Sequence, residues 1–411
     1  MKPSQSNNKN VYLVSIARTP VTKANKGAFV NTRPDDLLAH VIQSALVRCP
    51  QVKPEDIEDV IVGCAMPEGE QGLNIARIGA LVAGLPDTVP GMTINRYCSS
   101  GLQSIAIAHD RIATGQADVI LAGGVESMSL VPMGGNKLTA NPAWYEKDKN
   151  IAIGYGMGIT AEIVAERYQI SREAQDLFSL ESHQKAVLAQ KENLFNTDCE
   201  IAPIKILART PDLKNQTIKI LENLVFQDEG PRSDTSLEKL AQLKSAFMEG
   251  GSVTAGNSSQ VSDGAAMVIL VSEEYLEKNQ IKPLAKMLGY SVKGVPPEVM
   301  GIGPIAAIPD CLKKCGLKLE DIDWIELNEA FAAQSLAVIK TLGLDPKKVN
   351  PHGGAIALGH PLGATGAIRV GTLVAGLKNI KNIKKSGKKY GMVTMCIGTG
   401  MGACGIFEVL V

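Results

Sequence analysis

The sequence predicts an α/β protein in which helices pack against both faces of its sheets. Strand patterns alternate with helical patterns along most of the chain, an order that favours layered α/β folds. The composition agrees, since 45% of the residues are hydrophobic but only 4% are aromatic, and there are 40 glycines. An interior of small side chains lets helices and strands approach closely. We therefore expect parallel sheets sandwiched by helices.

An internal repeat indicates two related halves. The segment PEDIEDVI at residues 54–61 is echoed by LEDIDWIE at residues 319–326, and each leads into a strand and then an alanine-rich segment. At 411 residues the chain also exceeds what one hydrophobic core usually supports.

The predicted elements follow in order from the amino terminus. An apolar strand comes first, at residues 11–16, and a helix that opens after PDD at residues 34–36 runs to about residue 47. The later elements are a small-residue helix that ends near residue 115, a charged helix at 171–191, a buried strand at 265–271 that returns to the first half, and strands at 391–395 and 404–411.

Residues 129–252 differ from the two halves because they are more polar. They contain WYEKDK at 144–149 and the turn DEGPR at 228–232. Insertions on α/β folds gather where ligands bind, so we expect an inserted domain above the first half. The predicted domains are a first half at residues 1–128 and 253–280, the inserted domain at 129–252, and a second half at 281–411.

Charge and cysteine usage exclude several classes of function. The 42 Lys and Arg residues balance 42 Asp and Glu residues, so charge does not favour a nucleic-acid or anionic-membrane partner. Residues 1–10 are polar and no run of about 18 apolar residues occurs, so we predict a cytoplasmic protein that does not insert into membranes. The eight cysteines are scattered, with one CxxxC pair at Cys311 and Cys315, which favours reduced thiols over disulfides or a metal site.

Cys98, in the segment NRYCSSGL, is the first candidate for chemistry. It follows an apolar strand and directly precedes a helix. Unpaired N–H groups and the dipole at a helix N-terminus stabilise a thiolate, which is the nucleophilic form of cysteine. We therefore interpret Cys98 as a nucleophile acidified by its helix. The alternative is a free buried cysteine that only packs.

His360 lies in the glycine-rich segment GGAIALGHPLGATG, which opens another helix. A histidine held in this way can take a thiol proton near neutral pH. The alternative is a glycine-rich turn around a hydrogen-bonded core histidine, and this structural interpretation is the one that we favour for His352.

Two more segments carry candidate residues. Cys396 ends a strand and is followed by alternating glycines, so it could act as acid and base beside backbone N–H groups that face a reacting carbonyl. A dinucleotide fingerprint fits poorly there because no helix follows; a buried structural thiol is the other alternative. Asn328, in ELNEAFA, lies between a strand and a helix, where its amide could enter a pocket or simply cap the helix.

Together these segments resemble the ordered signature blocks of the thiolases. The resemblance rests on Cys98 in CSSG, Asn328 in NEAF, His360 in GHPLGATG and Cys396 in CIGTGMG. It covers nearly the whole chain. It implies a thiolase fold, with two related βαβαβαββ halves in αβαβα layers and an inserted loop domain that carries CoA. The other matching blocks are RTP at residues 18–20, MGITAE at 157–162 and TAGNSS at 254–259.

The resemblance also implies roles for the site residues. Cys98 is acylated, His360 activates it, and Cys396 shuttles the proton of the acetyl-CoA enolate. A water held by Asn328, together with His360, stabilises the thioester oxygen of the enolate, while the N–H groups of Cys98 and Gly398 stabilise the acyl-enzyme.

For CoA, the resemblance places Arg232 near the nucleotide and Ser259 near the pantetheine, with Met157 and Phe331 as further contacts. It implies no metal and no permanently bound cofactor, since CoA is a co-substrate. The implied partners are acyl-CoA and CoA, a second or further copies in a homodimer or homotetramer, and other enzymes of β-oxidation.

Within the family, the sequence favours the degradative branch. Biosynthetic acetoacetyl-CoA thiolases usually have a histidine where this chain has Gly156, and residues 27–38 and 257–264 look more like the 3-ketoacyl-CoA thiolases of fatty-acid β-oxidation. We therefore predict thiolytic cleavage, with biosynthetic acetoacetyl-CoA formation as the alternative. Residues 136–156 match no pattern that would predict acyl chain length.

Two rival functions are weaker. A decarboxylating ketoacyl synthase would need a Cys-His-His or Cys-His-Asn site and an acyl-carrier partner, and Cys396 argues against it. A non-catalytic CoA-binding or lipid-binding relative should have lost at least one of Cys98, His360 and Cys396, and all three are present.

Overall fold

The computed structural model describes residues 9–146, 148–195, 200–379, 387 and 389–410. The strands within these ranges are β1 (Val11–Arg18), β2 (Thr22–Lys23), β3 (Asp59–Gly63), β4 (Gly91–Ile94), β5 (Val119–Ser127), β6 (Ile204–Asp212), β7 (Thr217–Val225), β8 (Ser262–Ser272), β9 (Ala285–Gly294), β10 (Ile322–Leu327), β11 (Lys389–Ile397) and β12 (Met401–Val409).

The helices begin and end close to the predicted positions. Helix α1 starts with proline at its first position and two aspartates in its first turn, both of which favour a helix N-terminus. The helices are α1 (Pro34–Arg48), α2 (Ile75–Val82), α3 (Ser100–Ala113), α4 (Asp148–Ile151), α5 (Met157–Arg167), α6 (Arg172–Lys191), α7 (Leu237–Ala241), α8 (Glu273–Lys278), α9 (Gly303–Cys315), α10 (Ala332–Leu342), α11 (Ala355–Leu358) and α12 (Leu362–Asn379). Among the described helices, none is long and apolar enough to cross a membrane.

The strands of the two halves form one continuous sheet. The first half has the order β4-β3-β5-β8-β1 and the second the order β10-β11-β12-β9. They join between β1 and β9, where Leu13 pairs with Ala285. The short strand β2 pairs with β8, and β6 and β7 form a separate hairpin.

The sheet is mixed, so the expectation of parallel sheets was wrong. In each half the outer strands are parallel, whereas β8 is antiparallel to β5 and β1, and β12 is antiparallel to β11 and β9. Parallel neighbours need a long crossover connection. Residues 398–400 alone join β11 to β12, a turn that permits only an antiparallel pair.

The two halves repeat the same strand arrangement. Strand β3 lies between β4 and β5 and is parallel to both. In the second half, β10 is parallel to β11 on one side, and on its other side Ile325 forms a parallel bridge with Val349. The internal repeat in the sequence therefore corresponds to a repeated topology.

Helices form three layers around the sheet. Helices α3 and α12 pack in one core with β1, β5, β8, β11 and β12, and so lie between the two halves. Helices α1 and α2 cover the outer face of the first half, and α9 and α10 cover that of the second. This αβαβα order confirms the predicted fold class. The two helices of the central layer, α3 and α12, each begin two residues after a candidate residue, Cys98 and His360 respectively.

Candidate active site

Cys98 lies in a single helical turn, Tyr97–Ser99, between β4 and α3. Tyr97 has a φ of +44°, a left-handed conformation that is strained for a bulky residue. The hydroxyl of Ser100 accepts a hydrogen bond from the N–H of Arg96 (2.8 Å) and donates one to the carbonyl of Tyr97 (2.7 Å). The turn is thereby closed on both sides, and it presents the thiol at the start of the central helix layer.

Burial controls the charge state of Cys98. It raises the pKa of this thiol to about 11, although the N–H groups of Gly398 and of Cys98 itself act in the opposite direction; the carboxylate of Glu126 raises it further. The expected acidification at the helix N-terminus is therefore outweighed by desolvation. The resting site holds a thiol, which needs a base before it can attack.

His360 supplies an imidazole that is only 4% exposed. Its Nδ1 lies 2.6 Å from the hydroxyl of Thr365, and its Nε2 lies 3.3 Å from Nδ2 of Asn328. Burial, reinforced by the charge of Arg369, lowers its pKa to about 3. The ring is therefore neutral and able to accept a proton. Its main-chain N–H donates to the hydroxyl of Ser262 at 3.1 Å.

Asn328 lies in the turn between β10 and α10. Helix α10 begins at Ala332, and its cap position is Phe331, so the interpretation of Asn328 as a simple helix cap was wrong. Its N–H donates to the carbonyl of Thr394 on β11, at 2.9 Å. Its side-chain oxygen is buried and has no protein hydrogen-bond partner among the described residues. This unpaired acceptor belongs to the same amide group whose nitrogen contacts His360.

Cys396 is the penultimate residue of β11 and is fully buried. Burial raises the pKa of its thiol well above the ordinary value, and the nearby Cys98 adds to this effect. Cys396 packs in one cluster with Phe331 and Met157, two residues that the sequence predicted as CoA contacts. The fold therefore brings both cysteines to one place, together with the N–H of Gly398.

The arrangement can carry out acyl transfer through a sulfur nucleophile. It combines one thiol that can be acylated, a neutral imidazole, a second thiol that can give and take a proton, and backbone donors next to the first thiol. These are the components of nucleophilic catalysis with general acid–base assistance.

Comparison with known proteins identifies the family. The family models for the thiolase N-terminal and C-terminal domains match residues 11–274 and 281–409. The chain belongs to the thiolase family. As a thiolase it is an acyltransferase, which confirms the predicted reaction class.

Several curated relatives of this thiolase are named 3-ketoacyl-CoA thiolases. One from Bacillus subtilis is 50% identical over 402 residues, which cover 97% of this chain and 99% of the relative. The peroxisomal 3-ketoacyl-CoA thiolase of Homo sapiens is 45% identical over 405 residues, which cover 98% and 92%.

Solved structures share the fold. The dimeric peroxisomal thiolase of Saccharomyces cerevisiae has a TM-score of 0.87 at 39% identity, covering 98% of both chains. The acetyl-CoA acetyltransferase of Bacillus anthracis has a TM-score of 0.86 at 40% identity, covering 99% of this chain and 100% of the other.

The other two predicted CoA contacts of this thiolase, Arg232 and Ser259, lie on loops. Arg232 is in the inserted segment, and Ser259 follows it. Arg232 is at the surface, where it pairs with Asp234 at 3.5 Å and its N–H donates to Nδ1 of His183. Ser259 lies next to the turn that follows β10, because its N–H donates to the carbonyl of Ala330 at 2.9 Å.

Two buried carboxylates in the supporting structure were not assigned a role from the sequence. Glu126, near the end of β5, accepts N–H bonds at 2.8 Å from Ala65 and Gly363, and so joins the first half to the start of α12. The signal for it was an acidic residue in an otherwise apolar strand. Glu329 accepts from the side chains of Ser182 (2.7 Å) and Asn350 (2.8 Å), and fixes the loop that leads to His360.

His352 has the structural role that the sequence favoured. Its ring makes edge contacts with Trp324, at 4.8 Å between centroids, and with Phe195, at 5.8 Å. Burial lowers its pKa to about 4. A neutral ring packed between aromatic side chains suits a core position.

Proposed function

We propose that this thiolase cleaves 3-ketoacyl-CoA with free CoA, giving acetyl-CoA and an acyl-CoA two carbons shorter, through an acyl group on Cys98. The observation that carries the proposal is the proximity of two thiols, the half-buried Cys98 and the fully buried Cys396, because cleavage requires one nucleophile and one separate proton donor. The names of the curated relatives support this substrate class.

In the first half-reaction, His360 takes the proton of the Cys98 thiol, and the thiolate attacks the 3-keto carbon. The bond between C2 and C3 breaks, and its electron pair leaves on acetyl-CoA as an enolate. The thiol of Cys396 protonates C2 of this enolate and becomes a thiolate. The buried side-chain oxygen of Asn328 can hold the water that, with His360, stabilises the enolate oxygen.

In the second half-reaction, the Cys396 thiolate takes the proton of CoA, and the CoA thiolate attacks the thioester on Cys98. The N–H groups of Cys98 and Gly398, which already lie against the sulfur, stabilise the oxyanion that forms there. Release of the shortened acyl-CoA leaves the Cys98 thiolate, which recovers its proton from His360.

For CoA binding, we propose that residues 129–252 form the CoA-binding domain. In the sequence, this domain is inserted into the first half, between residues 1–128 and 253–280. Arg232 would contact the nucleotide and Ser259 the pantetheine. Exposure of Arg232, at 59% of its side chain, leaves it accessible to an anionic group. The packing of Met157 and Phe331 around Cys396 supports their contact with the thiol end of CoA.

The biosynthetic direction is the second candidate. The Bacillus anthracis structure, which is named an acetyl-CoA acetyltransferase, supports it. Both directions use the same residues, so the chain-length profile separates them.

We also propose a cytoplasmic protein that acts with other β-oxidation enzymes; the peroxisomal location in some relatives' names belongs to those proteins.

Thiolysis and acyl-enzyme formation test the function together. Purified protein is incubated with CoA and 3-ketoacyl-CoAs from acetoacetyl-CoA upwards, and the Cys98 peptide is analysed by mass spectrometry. We expect turnover that extends to chains longer than acetoacetyl-CoA and an acyl adduct on Cys98, both abolished by Cys98→Ser. Absence of turnover and of adduct would refute the proposal, and activity with acetoacetyl-CoA alone would favour the biosynthetic alternative.

We further propose a homodimer that pairs through β4. This strand ends the described sheet of the first half, and the strand and the residues in and near α2 expose apolar side chains to solvent. A second copy placed edge to edge would pair the free strand and cover these side chains. The exposed apolar residues are Leu73, Leu81, Val82 and Met92.

Light scattering tests the dimer. We expect the mass of two chains for the wild type and of one chain for Met92→Lys, because a charge would be buried at the interface. Leu188→Lys, at an exposed position of α6, is the control and should remain dimeric. A tetramer that survives Met92→Lys would place the main interface elsewhere.

A further inference from the structure

The hydroxyl of Thr365 connects His360 to the start of α12. Its oxygen lies 2.6 Å from Nδ1 of His360 and 3.1 Å from the carbonyl oxygen of Pro361. Thr365 is 1% exposed and His360 is 4% exposed. The main-chain N–H of Thr365 also donates to Pro361, at 3.0 Å, so the threonine is fixed by the first turn of the helix.

The two contacts of this hydroxyl determine where its proton lies. Because a carbonyl oxygen only accepts, both contacts can be hydrogen bonds at once only if the single hydroxyl proton of Thr365 is donated to Pro361. The oxygen can then only accept from the ring, which requires a proton on Nδ1 of His360. In a neutral imidazole, the other nitrogen carries the lone pair.

The contact on the far side of the ring agrees. Nδ2 of Asn328, an amide nitrogen that only donates, lies 3.3 Å from Nε2 of His360. A donor at this position requires an unprotonated Nε2. Contacts from two different elements, α12 and the turn after β10, thus favour the same tautomer.

We infer that Thr365 is a positioning residue that fixes the Nδ1–H tautomer of His360. Nε2 is then unprotonated and can exchange its hydrogen bond from Asn328 for the proton of the Cys98 thiol. The inference rests on the proposed function, in which His360 is the base. When Nε2 is protonated, Nδ1 keeps its hydrogen bond to Thr365, so the ring does not need to turn during the cycle.

A hydroxyl suits this position better than a carboxylate. A carboxylate beside Nδ1 would stabilise the imidazolium and keep the ring charged before substrate binds. A neutral acceptor fixes the tautomer without adding charge. The ring therefore stays neutral in the resting enzyme, as its lowered pKa requires.

The test compares Thr365→Val, which keeps the shape but removes the acceptor, with Thr365→Ser, which retains the hydroxyl. We expect Thr365→Val to lower kcat roughly 10- to 100-fold with KM within about twofold. Thr365→Ser should recover kcat to within about threefold of the wild type. Thr372→Val is the control, because the Thr372 hydroxyl contacts the carbonyl four residues earlier on α12 and the carboxylate of Glu200 but not His360; its kcat should stay within about twofold.

A second measurement does not depend on turnover. In protein with ¹⁵N-labelled histidine, two-bond ¹H–¹⁵N spectra assign each ring nitrogen as protonated or unprotonated, and His360→Asn identifies the His360 signals. We expect a protonated Nδ1 and an unprotonated Nε2 in the wild type and in Thr365→Ser, and loss of this pattern in Thr365→Val.

Three results would overturn the inference: an Nε2–H tautomer in the wild type, a normal kcat for Thr365→Val, or a serine variant as slow as the valine variant. Failure of the proposed function would be recognised separately, because the wild type would then show no thiolysis while its tautomer could still be read. If Thr365→Val does not fold, the wild-type spectrum and the serine variant decide.

Discussion

Burial holds both partners of the proposed proton transfer in their neutral forms. The pKa of the Cys98 thiol is about 11 and that of the His360 imidazole about 3, so the thiolate–imidazolium pair is strongly disfavoured while the site is empty. The attacking state must gain its stability from the bound substrate. A nucleophile that stays protonated until substrate arrives is also protected from oxidation and alkylation, which require the thiolate.

The pH dependence of Cys98 alkylation tests this protonation state. Because the thiolate fraction rises tenfold per pH unit below the thiol pKa, the rate with iodoacetamide should increase about tenfold per unit from pH 6 to 9, with no plateau. Mass spectrometry of the Cys98 peptide gives the rate. Urea-unfolded protein serves as the reference, in which the increase should flatten as the pH passes the ordinary thiol pKa of about 8.5. A plateau between pH 6 and 8 in the folded enzyme would show an ion pair with His360 instead.

At the scale of elements, the site depends on the close approach of α3 and α12. Helix α3 begins two residues after Cys98, and α12 begins two residues after His360. Glycines make the contact possible: a Cβ on Gly101 would lie 2.8 Å from the carbonyl oxygen of Gly363, and one on Gly366 would overlap the backbone nitrogen of Leu102. The separation of the two helices therefore sets the position of the nucleophile relative to its base.

Gly366→Ala tests this dependence. The added methyl group meets backbone atoms, which cannot move aside as a side chain could, so we expect α3 to shift. The free energy of unfolding should fall by about 1–3 kcal/mol, and kcat should fall roughly 10- to 100-fold because the reacting groups are misplaced. Urea unfolding and thiolysis rates measure the two effects.

Gly294→Ala is the control, since the new Cβ there would lie 4.0 Å from its nearest neighbour in space, the carbonyl oxygen of Gly400. It should keep stability and activity close to those of the wild type. Equal kcat values for the two alanine variants would contradict the proposed role of the helix contact.

The sequence predicted those parts of the site that are local in the chain. A strand, a turn and a helix around Cys98, and the glycine-rich turn before His360, are short-range patterns, and the structure has both. The contacts of Thr365 and Glu126 could not be predicted in this way. Glu126 accepts a hydrogen bond from Gly363, 237 residues away. The role of Thr365 depends on the contact of Asn328 with the other ring nitrogen of His360, and Asn328 is distant in the sequence.

The same distinction holds for the fold. Alternating patterns and the repeat were enough for the layers and the two halves. They could not give the direction of β8, because its partners β1 and β5 are separated from it by the inserted segment and by most of the first half. Strand direction here depends on long-range pairing, which periodicity does not encode.

At the scale of the whole molecule, a buried charge cluster ties the inserted segment to the first strand. Arg18, at the end of β1, is 1% exposed and donates to Glu200 at 2.5 Å and to Asp228 at 2.7 and 2.9 Å. Burial by itself lowers the pKa of Arg18, but the two carboxylates raise it above its ordinary value. Asp228 also accepts a hydrogen bond from the N–H of Val21 at 2.7 Å. The cluster therefore holds residues 18–21 against two positions of the inserted segment, 200 and 228.

Arg18→Met tests whether this cluster holds the inserted segment in place. The variant keeps much of the side-chain volume but leaves Glu200 and Asp228 buried without their cation, so the free energy of unfolding should fall by about 3–5 kcal/mol. Arg33→Met is the control, because Arg33 is 54% exposed and its pair with Asp35 should contribute less than about 1 kcal/mol. Urea unfolding measures both values. Limited proteolysis shows which segment is released. Since the lost charge lies where β1 meets the inserted segment, new cleavage should begin within residues 200–232. Cleavage that begins in the second half would show that the cluster stabilises the protein without anchoring this segment.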